Sequence, residues 1–168
     1  MNRSATKDDA EAVMSIVNRA YLVVKGDSGL AYAKANTDRY NDLKQCERDT
    51  PHIILGTLDT GTIVCCGKGL VDKGSDCVHI GPLAVDPCYQ GRGFGTQLLE
   101  ALESLAAHQE LSVVSCRKDV LKVYHRRGYV ITKTLPVTDV IPLERLTRPD
   151  LKIQVMKKVN AISYVVKT

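Results

Sequence analysis

The chain has 168 residues, enough for one compact domain with a proper core, and its 44% hydrophobic and 25% charged residues are those of an ordinary globular protein. With no Trp and one Phe, that core must be built from Leu, Val, Ile and Ala, and seven Tyr supply most of the aromatic area. A formal net charge of +4 and a pI near 8.7 fall short of a dedicated nucleic-acid binder, and no run of like charges marks a basic tail; a polyanionic small ligand suits this balance.

Six cysteines (Cys46, Cys65, Cys66, Cys77, Cys88, Cys116) show no C-x-x-C spacing, and Cys65 and Cys66 are vicinal. Most sit in apolar runs, the pattern of reduced thiols acting as small hydrophobes in an intracellular protein. The opening MNRSATKDDAEAV has no apolar core, and no segment approaches the ~18 continuous apolar residues of a membrane span. The reading is a soluble, cytoplasmic chain, monomer or homodimer. No repeat, low-complexity segment or linker divides it, so residues 1–168 read as a single domain.

In chain order, residues 7–20 are predicted helical. Thr6 is a capping residue, Asp8, Asp9 and Glu11 load the first turn, and Ala10, Val13, Met14, Val17 and Tyr21 recur at helical spacing. A polar loop at 26–36 and a weaker helix at 38–47 follow. Residues 52–59, 62–72 and 77–85 are apolar runs joined by Thr60-Gly61 and Lys73-Gly74-Ser75, which predicts an antiparallel meander. Pro82 cannot donate to a ladder and predicts a bulge or local splaying in the third run. Past Asp86-Pro87 the period changes: over 96–108, Leu98, Leu99, Leu102, Leu105 and Ala106 share one helix face, with Glu100 and Glu103 opposite. A strand at 111–116, a short helix at 119–127 stopped by Gly128, and strands at 129–135 and 151–159 complete the chain, with a Pro-punctuated loop at 136–149. With a short first strand at 1–5, the order predicts an α+β fold: a mixed sheet with helices packed on it.

Gln90-Gly91-Arg92-Gly93-Phe94-Gly95-Thr96 joins a buried strand to the amphipathic helix. Glycines there let backbone N–H groups approach a ligand, the helix adds unpaired donors and the positive end of its dipole, and Arg92 adds a mobile cation. This is an anion cradle whose natural occupant is pyrophosphate, although three glycines before a helix also suit a plain tight connection. The spacing is neither that of a P-loop nor G-x-G-x-x-G, and the loop follows a meander instead of opening a βαβ unit.

The run Val78-His79-Ile80-Gly81-Pro82-Leu83-Ala84-Val85-Asp86-Pro87, followed by Gln90-x-x-Gly93-x-Gly95, resembles the signature of the GNAT (Gcn5-related N-acetyltransferase) superfamily. Its motif is [Q/R]-x-x-G-x-[G/A] after a strand ending in "LAV-x-P". Tyr124-His125-Arg126-Arg127-Gly128-Tyr129 resembles the family's Y-x-x-x-G-[F/Y] segment, and Arg3 to Ala10, Asn18 to Tyr21 and Val155 to Lys158 look like the family's ends. The resemblance implies an acyl-CoA N-acyltransferase fold, a mostly antiparallel sheet splayed between the fourth and fifth strands with helices on both faces. It implies an N-acetyltransferase that uses acetyl-CoA and no metal, and an amine acceptor that is a small molecule or a peptide or protein amine.

By that resemblance, acetyl-CoA lies in the gap between 77–85 and 111–116, opening at Pro82. Main-chain groups of Leu83, Ala84 and Val85 face the pantetheine arm, and the amides of Gln90, Gly91, Arg92, Gly93, Phe94, Gly95 and Thr96 hold the pyrophosphate. Tyr124 matches the tyrosine that protonates the departing thiolate; the plain alternative is a half-buried helix aromatic. His79 falls where histone-modifying relatives carry a strand glutamate and is the candidate base, ahead of Asp76 and Glu47 and alongside relay through water. Many relatives carry Asn where this chain has Arg117, which would instead pair with an acid or reach the cofactor. Acceptor determinants spread over 20–36 (Lys25, Asp27, Lys34) and 136–150 (Asp139, Glu144, Arg145, Arg148, Asp150), whose mixed charge selects nothing. The alternative is a non-catalytic acyl-CoA-binding module. Lys118, Lys122, Arg126 and Arg127 share one short helix, but a solvated face accounts for them and no aromatic platform for nucleic acid accompanies them.

Overall fold

A computed structural model describes residues 1–27, 40, 42–141, 143, 146 and 148–159. The sheet is built from β1 (Asn2–Ser4), β2 (Ile53–Thr57), β3 (Ile63–Asp72), β4 (Cys77–Val85), β5 (His108–Val114), β6 (Val130–Pro136) and β7 (Lys152–Val159). Its order is β1-β2-β3-β4-β5-β7-β6, antiparallel throughout except for the parallel pair β4–β5. The helices are α1 (Ala10–Asp27), α2 (Leu43–Asp49), α3 (Phe94–Glu103) and α4 (Lys118–Arg126).

The two faces of the sheet carry separate cores. On one, Val13, Ile16, Val17 and Ala20 of α1 and Cys46 of α2 pack on Ile53, Leu55, Cys66 and Ala84. On the other, Leu98, Leu99 and Leu102 of α3 pack on Val64, Cys65, Val78, Ile80 and Leu111. A smaller cluster of Val137, Leu146, Leu151 and Ile153 closes the far end. The mixed sheet with helices on both faces is the one the sequence implied. Among the described residues, no helix is long and apolar enough to cross a membrane. All six cysteines are free thiols; Cys46, Cys65, Cys66 and Cys77 are buried, and burial pushes the Cys46 thiol up to about 11.

Several boundaries differ from the sequence expectation. A short 3-10 turn (Lys7–Asp9) precedes α1, which then runs on to Asp27, past residue 20, because nothing before Gly26 breaks a helix. Asp9 anchors this start: it accepts from the Thr6 N–H at 2.8 Å and from Arg3 at 2.7 and 2.8 Å. Helix α2 begins at Leu43, where Asp42 caps the Gln45 N–H at 2.7 Å; the expected start at 38 and most of the 26–36 loop lie outside the described residues.

The largest difference is at α3, which ends at Glu103 and not near 108, while β5 begins at His108 and not 111. The cause is tertiary. His108, Gln109 and Glu110 pair with Cys77, Val78 and His79 on one side and with Val159, Lys158 and Lys157 on the other. The buried Gln109 amide donates to the Glu103 and Ala106 carbonyls at 3.0 and 2.8 Å, so the freed end of the helix is closed by a residue that its own pattern had counted as helix-adjacent.

Glu103, at the last turn of α3, ties that helix to the far half of the sheet. Its carboxylate accepts from Arg127 Nη2 at 3.0 Å, Lys158 Nζ at 3.1 Å and the Tyr129 hydroxyl at 3.0 Å. Burial acts to raise its pKa, but these three donors outweigh it, and the carboxyl titrates below its usual range. Because the folded pKa lies below the unfolded one, this contribution is present above ~4.3 and is lost as pH falls through the folded value. Glu103→Ala is expected to cost about 2–4 kcal/mol in a urea melt, since it strands Lys158 and a buried phenol and leaves Arg127 only its longer contact with Glu100 at 3.6 Å.

Candidate active site

The ladder between β4 and β5 holds from Cys77–His108 to Ile80–Leu111 and then stops, although β4 runs on to Val85 and β5 to Val114. The register of β3 against β4 shows why. Gly67 pairs with Leu83 and Gly69 with Ile80, so Gly81 and Pro82 together stand opposite Lys68. This is the bulge predicted from Pro82, and beyond it β4 turns away from β5.

The opened strands enclose a cavity of about 380 Å³, lined by Ile80 to Val85 of β4, Leu111 to Val114 of β5, Ala20 and Tyr21 of α1, Gln90, and Arg117, Val120 and Tyr124 around α4. The backbone of β4 is directed into it. Asp86 N–H donates to Val64 O at 2.9 Å, which makes Cys65–Val85 a non-hydrogen-bonded pair and turns the N–H and C=O of Val85 toward the gap. Val85 O accepts from Gln90 Nε2 at 3.2 Å, and the second lone pair of that carbonyl remains for another donor.

At one end of the cavity lies the loop Gln90 to Thr96. Gly91 and Gly93 have φ of +74° and +86°, a region that a side chain rarely tolerates, so this turn demands glycine at both. The third glycine has a different reason: a Cβ on Gly95 would come within 3.3 Å of Val85 Cγ2, pushing α3 off β4. Gln97 N–H closes the first turn on Gly93 O at 3.1 Å, which leaves the N–H groups of Phe94, Gly95 and Thr96 without helical partners at the dipole's positive end. Arg92 lies over the Tyr89 ring, 5.3 Å from its centroid. Asp86, at the head of the loop, is buried; it accepts from Cys88 N–H at 2.9 Å and from Arg19 of α1 at 2.7 Å. That pair fastens α1 to the cradle.

At the other end stands Tyr124. Its ring meets Tyr129 edge-on, with centroids 5.4 Å apart, and Tyr129 is itself held by Glu103. Burial pushes the Tyr124 phenol up to about 12; Tyr21 adds to the rise, while the Arg117 guanidinium pulls the other way. The hydroxyl is thus a proton carrier at neutral pH. Arg117 lines the cavity and forks onto Asp119 through Nε at 3.1 Å and Nη2 at 3.0 Å. Of the two alternatives raised for Arg117, the pairing with an acid is the one seen, and the side chain also borders the cavity.

Tyr124, Arg117, Leu83, Ala84, Val85 and Gln90 are thus brought together around one cavity, and Gly91 to Thr96 follow Gln90 in the chain without lining it. His79 does not line it. It lies next to Ile80, on the sheet face that carries α1, with its Nδ1 3.0 Å from Glu110 Oε1. Asp76 is a turn residue accepting from Ala107 N–H at 3.3 Å, and neither it nor Glu47 borders the cavity.

Sequence reasoning placed Tyr21 and Ser112 within the segments 20–36 and 111–116 but did not single them out as lining residues, since Tyr21 fits a helical core pattern and Ser112 sits mid-strand. It also counted Arg127 in a solvated helix face. Lys118, Lys122 and Arg126 are exposed there, but Arg127 turns inward to Glu103. Of the acceptor segments, Lys34, Glu144 and Arg145 lie outside the described residues, and Arg148 pairs with Asp150 at 2.6 Å. Among the described residues, no group of three or more His, Cys, Asp and Glu is placed to hold a metal.

The Acetyltransferase (GNAT) family matches residues 11–129, most of the chain, and this protein belongs to that family of acyltransferase enzymes. Solved structures agree on the fold. The ribosomal-protein-S18-alanine N-acetyltransferase from Escherichia coli superposes with a TM-score of 0.69 at 18% identity, covering 99% of this chain and 98% of that one. Ard1 from Thermoplasma volcanium gives 0.66 at 19% identity, covering 95% and 96%. Rv2747 from Mycobacterium tuberculosis, solved in complex with CoA and NLQ, gives 0.65 at 16%, covering 95% and 99%. No curated protein matches the sequence.

The electrostatics of Tyr124 are directly measurable. In a spectrophotometric titration its phenol is expected to ionise at about 12, identified by the step missing from Tyr124→Phe. Arg117→Ala should move that step higher, because the cation that favours the phenolate is gone. A step at the ordinary ~10 contradicts the burial described here.

Proposed function

We propose that the protein transfers the acetyl group of acetyl-CoA to a primary amine, of a small molecule or of a peptide or protein, and that the whole chain acts as one acetyltransferase domain. The observation that carries this is the gap between β4 and β5: strand backbone faces into it, an amide-lined loop closes one end and a neutral phenol stands at the other.

The residues fit the donor by position. Leu83 and Val85 offer main-chain groups to an amide-bearing arm, as a neighbouring strand would. The loop from Gln90 to Thr96 offers N–H donors and a helix dipole to a pyrophosphate, with Arg92 as a movable cation. The acceptor reaches the other side, past Tyr21.

An alkyl ammonium, with a pKa of ~10.4, must lose a proton before it can attack, and His79, beside the cavity-lining Ile80, takes that proton on Nε2 through a water. The neutral nitrogen then bonds to the acetyl carbon as the carbon–sulfur bond breaks, and the sulfur takes its proton from Tyr124 Oη. The nitrogen's second proton passes to solvent, which reprotonates Tyr124, so the products are the amide, the free CoA thiol and one net proton, the one held by His79 until solvent takes it. A phenol at about 12 donates a strong hydrogen bond to the thiolate, but full transfer to a thiol of ordinary ~8.5 is uphill. Arg117 favours the phenolate and narrows that difference.

Acetyl-CoA at 100 times its Kd is expected to stabilise the protein by about 2.7 kcal/mol, seen as a rise in Tm, and Gly93→Val should abolish the rise. No rise at millimolar acetyl-CoA contradicts the donor assignment. In a thiol-release assay over an amine library, Tyr124→Phe is expected to lower kcat by about 10²-fold or more with little change in KM for acetyl-CoA. Binding without thiol release for any amine would make the protein a non-catalytic acyl-CoA-binding module.

A further inference from the structure

Three strands place a row of polar side chains on the α1 side of the sheet, just before it opens. His79 of β4 is the register partner of Glu110 on β5, and Glu110 is the register partner of Lys157 on β7. The contacts follow the register: His79 Nδ1 lies 3.0 Å from Glu110 Oε1, and Lys157 Nζ lies 2.9 Å from Glu110 Oε2. The outer members are half exposed, at 49% for the His79 side chain and 48% for Lys157, while the glutamate between them is 22% exposed. The next pair along, Ile80–Leu111, is the last of the ladder and already lines the cavity.

We infer that Glu110 is a positioning residue for the reaction, holding His79 in the single tautomer that leaves Nε2 free to accept a proton. The inference rests on the reading of His79 as the base. A half-exposed imidazole on a strand is otherwise free to turn and to carry its proton on either nitrogen. An ionised carboxylate only accepts, so the nitrogen facing Glu110 must carry the hydrogen. That nitrogen is Nδ1, which puts the lone pair on Nε2, on the opposite edge of the ring.

Glu110 is kept ionised for this task. Burial acts to raise its pKa, but the bond and charge of Lys157 and the contact with His79 bring it below the usual range. Lys157 has a second effect. By occupying Oε2 it locks the carboxylate's rotation, so that Oε1 presents one direction to the ring. The arrangement is the orienter–base pair of general acid–base chemistry, drawn from two strands that are parallel neighbours.

A cross-strand ion-pair row also stabilises a sheet with no part in chemistry, and the test separates the two. In the intact wild-type protein, two-bond nitrogen–proton NMR of the imidazoles, above the pH at which they protonate, should show His79 as the Nδ1–H tautomer. Glu110→Gln should mix the tautomers. In thiol release, Glu110→Gln is expected to lower kcat about 10-fold or more while KM for acetyl-CoA changes less than about 2-fold, and to add less than about 2-fold once His79→Ala is present. If His79→Ala is slow but Glu110→Gln is not, if their losses multiply, or if wild-type His79 carries its hydrogen on Nε2, the role of Glu110 is overturned and the base remains. If His79→Ala runs at the wild-type rate, the base and its positioning residue fall together.

Discussion

Between Ile80 and Leu111 the hydrogen-bond ladder joining the two central strands ends, while each strand continues, held on its far side. β4 stays paired with β3 through Val85, and β5 stays paired with β7 over its whole length. The sheet is therefore parted in its middle without losing rigidity, and it exposes unpaired backbone where a sheet normally hides it. A bulge with Gly81 and Pro82 opposite a single lysine makes the parting obligatory, because proline has no N–H to restore the ladder. A cavity edged by strand backbone is suited to an extended, amide-bearing ligand, and the two ends of the gap decide how that ligand is read.

Those ends share one buttress. The cradle is the N-terminus of α3, and the phenol of Tyr124 leans on Tyr129. Glu103, at the C-terminus of α3, binds the Tyr129 hydroxyl, Arg127 just after α4, and Lys158 of β7. A single carboxylate thus ties the helix that carries the glycine loop at its N-terminus to the ring on which Tyr124 leans. Arg19 and Asp86 do the same for α1, which brings Tyr21 to the wall of the cavity. The site has little of its own structure: it is the meeting place of elements whose placement is decided behind it.

Much of the architecture was legible in the chain. The limits of β4 are those read from its apolar run, and the turn before α3 was marked by glycines whose positive φ angles confirm a local demand. Where the reading slipped, a distant partner had intervened. The helical pattern over 96–108 is genuine through Leu102, yet His108 to Glu110 are taken into a ladder by β4 and β7, whose pull a window of neighbouring residues does not contain. Arg127 reads as one cation among four on a solvated helix; a partly buried glutamate 24 positions earlier turns it inward.

Periods, breakers and turn chemistry act over a few residues, and these the sequence by itself determined: the order of elements, the bulge at Pro82, the cradle at Gly91 and Gly93, and the likeness to an acetyltransferase family. Tertiary structure alone decided which side chains meet. The meeting of Tyr21 with Tyr124 depends on how α1 and α4 are placed on the sheet, and the row His79–Glu110–Lys157 depends on strand register, a relation between segments 30 to 50 residues apart. A shift of one residue would send Glu110 to the opposite face of the sheet. The chemistry of each residue is written locally, but its company is set by how β4, β5 and β7 lie against one another.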